Sequence, residues 1–291
     1  MEGLANFKPS KPFIVGIDSD GCAFDTMELK HKECFIPNII KHWNLQPISK
    51  VAREAAEFVN LYSTWRGINR FPALVKTIDL LADRPIVTRR AVQLPDLMPL
   101  RAFIDSNRPL SNAGLQVAIA ESPNPILMRA LEWSQAVNQS IEAMVQGVPP
   151  FPLVRDSLER LAQQADIVVV SATPREALVR EWHEHGISSV VRVVCGQEAG
   201  SKKNLLTALA KMVSQPERLL MMGDAPGDYD AARAANAAFF PINPGDEERS
   251  WEEFYHHGLE RFLSLRYVGA DEATRIAKFK ARLPEQPPWK D

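Results

Sequence analysis

The sequence predicts an α/β protein: a parallel sheet covered by helices on both faces, with a second, all-helical domain inserted after the first strand. Three observations carry this. Beyond residue 149, short apolar and β-branched runs alternate with helical periodicities, the pattern of strands buried on both faces of a parallel sheet. One more run of that kind, Phe13-Ile14-Val15-Gly16-Ile17, stands alone near the N-terminus. The residues between carry helical spacing only. A chain of 291 residues exceeds one typical domain of roughly 100–200 residues, which fits two.

The elements follow in order. The first strand covers 13–18. Helical patterns then cover 26–44, where Pro37 should kink or split the helix, and 49–62, with Ser49 as a plausible N-cap. Further helices are expected over 72–82, 96–106, 112–120 and 125–146. Leu94-Pro95, Arg108-Pro109 and Ser122-Pro123-Asn124-Pro125 break them. After Gly147-Val148-Pro149-Pro150 the alternation begins. Helices at 152–164, 174–185, 202–213 and 228–236 separate strands at 167–170, 190–195, 218–222 and 238–242. In the tail, Trp251, Phe254, Tyr255, Phe262 and Tyr267 recur at amphipathic spacing, which predicts a helical extension packed on the sheet domain. The expected domains are thus 1–24 with 150–248 as a discontinuous α/β core, 25–149 as the helical insertion, and 249–291 as the extension.

Composition narrows the function classes. With 34 Lys and Arg against 36 Asp and Glu, no general attraction to nucleic acid or an anionic membrane is expected. The three cysteines, Cys22, Cys34 and Cys195, are odd in number and widely spaced, which argues against a disulfide framework and a zinc site and fits a reducing cytosol. No run reaches the roughly 20 apolar residues that span a bilayer, and the first residues lack the apolar core of a signal peptide. The expectation is a cytoplasmic protein with neither a nucleic-acid nor a membrane partner.

Chemistry collects where the strands end. The first strand runs into Asp18-Ser19-Asp20-Gly21, and a buried strand seldom ends in paired carboxylates, because desolvated like charges repel. Far downstream, Leu219-Leu220-Met221-Met222 runs into Gly223-Asp224, with Asp228 four residues on. Another strand ends at Ser171, with Thr173 beyond it as a substitute hydroxyl, and Gly200-Ser201-Lys202-Lys203 opens a helix. Open parallel sheets bind ligands beyond the carboxyl ends of their strands. Carboxylates for a hard cation, a hydroxyl and a lysine for an anionic substrate are an inventory that fits phosphoryl transfer.

In order and in element context these four motifs resemble those of the haloacid dehalogenase superfamily, and specifically its phosphatase branch. The likeness covers 12–25 and 150–243; the insertion is matched by position and helicity alone. The resemblance implies a Rossmann-like three-layer core with a helical cap inserted after the first motif, and a Mg²⁺-dependent phosphatase acting on a small phosphorylated metabolite. It implies that Asp18 is the nucleophile that forms an aspartyl-phosphate and Asp20 the acid and base. Mg²⁺ would sit on Asp18, the backbone carbonyl of Asp20, and Asp224, with Asp228 a further ligand or an orienting acid. Ser171 would bond a phosphoryl oxygen, and Lys202 (rather than Lys203) would neutralise charge. Asp228 fits the spacing better than Asp230.

Cys22 stands where many members have threonine; it is either a redox-sensitive thiol beside the nucleophile or an inert buried one. In the insertion, Arg66 and Arg70 lie four apart and could share a helix face. Such a pair can grip a second phosphate or a carboxylate; the plainer reading is a solvated or ion-paired arginine. Two other readings use the same residues: a phosphomutase of the β-phosphoglucomutase type, and a non-catalytic protein that binds a phosphorylated ligand. The substrate and the oligomeric state are left open.

Overall fold

The structure is a computed structural model that describes residue 4 and residues 6–290. Its strands are β1 (Phe13–Ile17), β2 (Ala165–Val170), β3 (Val191–Cys195), β4 (Leu219–Gly223) and β5 (Ala238–Pro241), in the order β3-β2-β1-β4-β5 and all parallel. The chain winds outward from β1 to β3, then crosses back to lay β4 on the other side of β1. That reversal opens a crevice at the carboxyl ends of β1 and β4, the place where sheets of this kind bind ligands. Register makes the two ends level: Ile17 pairs with Met222, and Asp18 N donates to Met222 O at 3.0 Å.

Every residue of β1, β2 and β4 is buried, and alternate residues serve opposite faces, which explains why these strands read as continuous apolar runs. Val15, Ile17, Ile167, Val169, Leu220 and Met222 pack under the helices Val154–Leu161 and Arg175–Glu184 and under the helical segment that follows Asp246. Ile14, Val168, Val170, Leu219 and Met221 pack under Lys202–Ala210, Pro226–Ala234 and Ala270–Ala281. The edge strand β5 is closed by side chains. The buried Glu272 accepts from Phe239 N at 2.9 Å, and the Tyr267 hydroxyl donates to Phe239 O at 2.7 Å. Two polar groups that an edge would leave open are thereby satisfied.

The chain divides into two compact units, Met1–Met27 with Gly147–Leu283, and Glu28–Gln146 with Pro284–Asp291. The first holds the sheet. The second is helical, built on a core that includes Trp43, Phe58, Phe71, Phe103 and Trp133. The tail therefore divides, where the sequence sends all of it to the sheet domain. Thr64 N donates to Pro284 O at 3.2 Å, Trp289 packs edge-on against Phe58 with centroids 5.7 Å apart, and Arg84 stacks over the Trp289 ring. Lys290 Nζ adds an ion pair to Asp83 at 2.5 Å.

Local chemistry explains the boundaries. Pro37 does not break its helix. It sits in the first turn of Ile36–His42, and the turn ahead of it, Lys30–Phe35, is π-helical, so the extra residue absorbs the missing N–H and the ring clash. Ser49 is the first residue of its helix and makes no cap bond, because the turn Gln46–Ile48 precedes it. The working side-chain caps include Asn69, Ser111, Asn124 and Ser201, which accept from Phe71 N, Gly114 N, Ile126 N and Asn204 N at 3.0, 3.1, 2.9 and 3.2 Å. Among the described residues no helix is long and apolar enough to cross a membrane. The closure of β5 can be tested directly: Glu272→Ala orphans a buried N–H and should cost about 1–3 kcal/mol, read as a lower denaturant midpoint at unchanged slope, whereas Glu272→Gln keeps an acceptor and most of the stability.

Candidate active site

The crevice gathers its acids through the sheet. Asp18 follows β1, Asp224 follows β4, and Asp228 lies in the first turn of the helix Pro226–Ala234. One oxygen from each of the three buried carboxylates lies within 4.8 Å of the others. Lys202, the first residue of its helix, reaches in from the loop after β3. Its Nζ donates to Asp18 Oδ2 at 2.5 Å and to Asp228 Oδ1 at 2.6 Å. Lys203 is exposed, as is Asp230, while Asp228 is wholly buried.

Asp228 has a second task. Its Oδ2 accepts from Ala225 N at 3.1 Å, so the acid caps the helix that carries it. Gly223 makes room for it. A Cβ at that position would lie 2.4 Å from the Asp228 carboxyl carbon, so only glycine fits ahead of this aspartate.

The electrostatics are those of an anionic pocket. Burial pushes the Asp18 carboxyl up to about 6; Lys202 opposes the rise and Asp228 adds to it. Burial likewise raises Asp228, against Lys202 and with the help of Asp224. For Lys202, burial works against the charged form, but Asp18 and Asp228 outweigh it and hold the ammonium above its ordinary value. In this pocket two buried carboxylates share the Lys202 ammonium, and the third, Asp224, lies beside them. The pocket's donors are all oxygens, the set a hard divalent cation prefers. The residues fit such a metal.

Residues 106–242 match the family model described as haloacid dehalogenase-like hydrolase. Over that stretch the chain resembles the haloacid dehalogenase-like hydrolases. The matched stretch holds Ser171, Lys202, Asp224 and Asp228; β1 and its two aspartates lie outside it and take their place from the sheet. Among solved structures, a predicted phosphoglycolate phosphatase from Haemophilus somnus is similar at 14% identity and a TM-score of 0.50, over 80% of this chain and 86% of that one. A haloacid dehalogenase-like family hydrolase from Streptococcus pneumoniae is similar at 15% identity and a TM-score of 0.46, over 87% of this chain and 97% of the other. The first likeness is one of fold. No curated protein matches the sequence significantly.

The remaining motif residues take distinct places. The Asp20 side chain is not among the three clustered acids. Its two oxygens accept from threonine hydroxyls, Oδ1 from Thr26 and Oδ2 from Thr173, the latter at 2.8 Å. Thr173 is thus a partner of Asp20. Ser171 is buried at the end of β2, where its N donates to Cys195 O at 3.0 Å and its Oγ accepts from Thr173 N at 3.3 Å. Gly196 lets this loop close up, since a Cβ there would meet Arg175 N at 2.4 Å and Thr173 O at 2.7 Å. Cys22 is buried, and burial, with Asp224 adding to it, pushes its thiol well up. Of the two readings of this thiol, burial and the raised pKa favour the inert one.

Arg66 and Arg70 do not share a helix face. Gly67, at a φ of 79°, separates them, and Arg70 opens the helix Arg70–Ala82. Arg66 is buried and donates to Leu61 O at 2.9 Å. The Arg70 guanidinium donates to Ser134 Oγ at 2.9 Å and Asn138 Oδ1 at 2.7 Å, and its burial lowers its pKa to about 10. These bonds tie two helices of the helical unit together.

Metal binding to the folded chain should stabilise it by about 2.7 kcal/mol when Mg²⁺ is at a hundred times its dissociation constant. Asp224→Asn removes one charge from the acid cluster, and Gly223→Ala displaces Asp228. Each should abolish most of the Mg²⁺-dependent rise in melting temperature, measured by thermal unfolding with Mg²⁺ and with EDTA.

Proposed function

We propose that this protein is a Mg²⁺-dependent phosphatase that cleaves a small phosphorylated metabolite through an aspartyl-phosphate on Asp18. The observation that carries the reading is the Lys202 ammonium set between Asp18 and Asp228, beside a second aspartate held in a different, hydroxyl-lined setting. Asp18, Asp224 and Asp228 would hold the metal, with the backbone carbonyl of Asp20. When bound, the cation supplies charge to the phosphoryl oxygens and keeps Asp18 ionised at neutral pH.

The chain's own residues account for the rest. An Asp18 oxygen attacks phosphorus while Lys202 neutralises charge on the phosphoryl group and on the nucleophile. Asp20 gives its proton to the departing oxygen. It then takes one from the water that hydrolyses the aspartyl-phosphate, which frees phosphate and restores Asp18. A hydroxyl can donate or accept, so Thr26 and Thr173 can serve Asp20 in both protonation states. The Ser171 hydroxyl donates to a phosphoryl oxygen. The three buried free cysteines fit a reducing, cytoplasmic setting.

Phosphate release from a panel of phosphorylated metabolites tests the reading. Release should require Mg²⁺ and should fall by three orders of magnitude or more in Asp18→Asn, which keeps the shape of the nucleophile and removes its charge. Release that persists without metal, or in that variant, overturns the mechanism. Lys202→Met leaves two buried carboxylates unneutralised. It should lose activity to a similar degree and, with a competing cation removed from Asp18 and Asp228, lower the metal concentration needed for stabilisation.

A further inference from the structure

Ser19, between the two aspartates, is wholly buried and is bonded through its amide, its carbonyl and its hydroxyl. Its N–H donates to Asp18 Oδ1 at 2.8 Å. Its carbonyl accepts from Cys22 N at 3.3 Å, Ala23 N at 2.9 Å and Phe24 N at 3.0 Å, which closes the turn that carries Asp20. Its hydroxyl is held from the helix Arg175–Glu184: Trp182 Nε1 donates to Ser19 Oγ at 2.9 Å, and Ser19 Oγ donates to Glu181 Oε2 at 3.0 Å. The indole of the buried Trp182 also packs edge-on against Phe24, with centroids 5.6 Å apart, at the far end of the same turn.

We propose that Trp182 and Glu181 are positioning residues that act through Ser19, anchoring the turn between Asp18 and Asp20 to the helix behind β2 and so setting the aim of both carboxylates. The chemistry of the bonds supports a directional anchor. A serine hydroxyl offers one donor and two acceptor sites, and here it donates to a carboxylate and accepts from an indole that can only donate. Its orientation is therefore determined from both sides. The same residue's amide then fixes one oxygen of Asp18, and its carbonyl fixes the turn that presents Asp20. The Asp18 carboxylate is thus restrained on Oδ1 by Ser19 and on Oδ2 by Lys202. An attacking carboxylate works within narrow limits of distance and angle, so a restraint of this kind bears on the rate of the chemical step rather than on substrate binding.

The role in catalysis rests on the phosphatase reading; the anchoring of the turn does not. The test uses Ser19→Ala, Trp182→Phe, Glu181→Ala and Glu181→Gln, with p-nitrophenyl phosphate and Mg²⁺ as the activity probe and amide hydrogen exchange of the segment 17–24 as the structural one. Ser19→Ala and Trp182→Phe should lower kcat about 10- to 100-fold at nearly unchanged KM. Exchange should speed up at Ser19, Cys22, Ala23 and Phe24 while β2 and β4 keep their protection. Glu181→Gln, which keeps an acceptor for the hydroxyl, should recover most of what Glu181→Ala loses. Exchange that rises equally in all strands, or KM rising with kcat unchanged, would mean ordinary packing and overturn the proposal. If the wild-type chain releases no phosphate from any substrate, the phosphatase reading fails on its own. The exchange measurement then decides the anchor, and unchanged exchange in the 17–24 turn rejects it.

Discussion

Negative charge gathered at the adjoining ends of β1 and β4 is the constraint around which the sheet unit is arranged. The parallel register sets Ile17 beside Met222, so the acids that follow the two strands come level in a buried crevice. Burial, with the neighbouring acids adding to it and Lys202 opposing it, holds the Asp18 and Asp228 carboxyls above their ordinary range. The surrounding features respond to that charge. Lys202 is delivered to it by a helix start, Asp228 is drawn into capping its own helix, Gly223 clears space for a carboxylate, and the donor set suits a divalent cation.

The two aspartates of the first motif, one residue apart, occupy different electrostatic settings. Asp18 faces an ammonium and two further acids. Asp20 faces two hydroxyls. Backbone geometry makes the separation possible, because Gly21, at a φ of 74°, and the bonds to Ser19 O turn the chain sharply just after the strand. Like carboxylates placed in unlike surroundings can take unlike roles, which a two-step displacement with one nucleophile and one proton carrier needs.

Much of this could be read along the chain, and what could not has a common cause. The strands were visible because a parallel sheet buries both faces, leaving uninterrupted runs such as Ile167-Val168-Val169-Val170. The clustered acids were visible because charge at the end of such a run has no packing explanation. Asn69 as a cap, the π-helical turn ahead of Pro37 and the break between Arg66 and Arg70 are local, but they turn on conformations that several sequences can adopt. The bonds from Trp182 to Ser19, Thr173 to Asp20 and Glu272 to Phe239 join residues 163, 153 and 33 positions apart, and no periodicity or motif foretells such pairs.

By itself, then, the sequence determined the class of fold, the place of the helical insertion and the identity of the polar groups at the sheet's carboxyl edge. Hydrophobic periodicity and charge are properties of the residues wherever they go. Only the tertiary structure decided which of those groups share a pocket, that Thr173 serves Asp20, that Arg70 ties helices together, and that the last residues join the helical unit through Trp289. Those outcomes depend on strand order and register, which bring distant residues within bonding distance and are set by the packing of the whole chain.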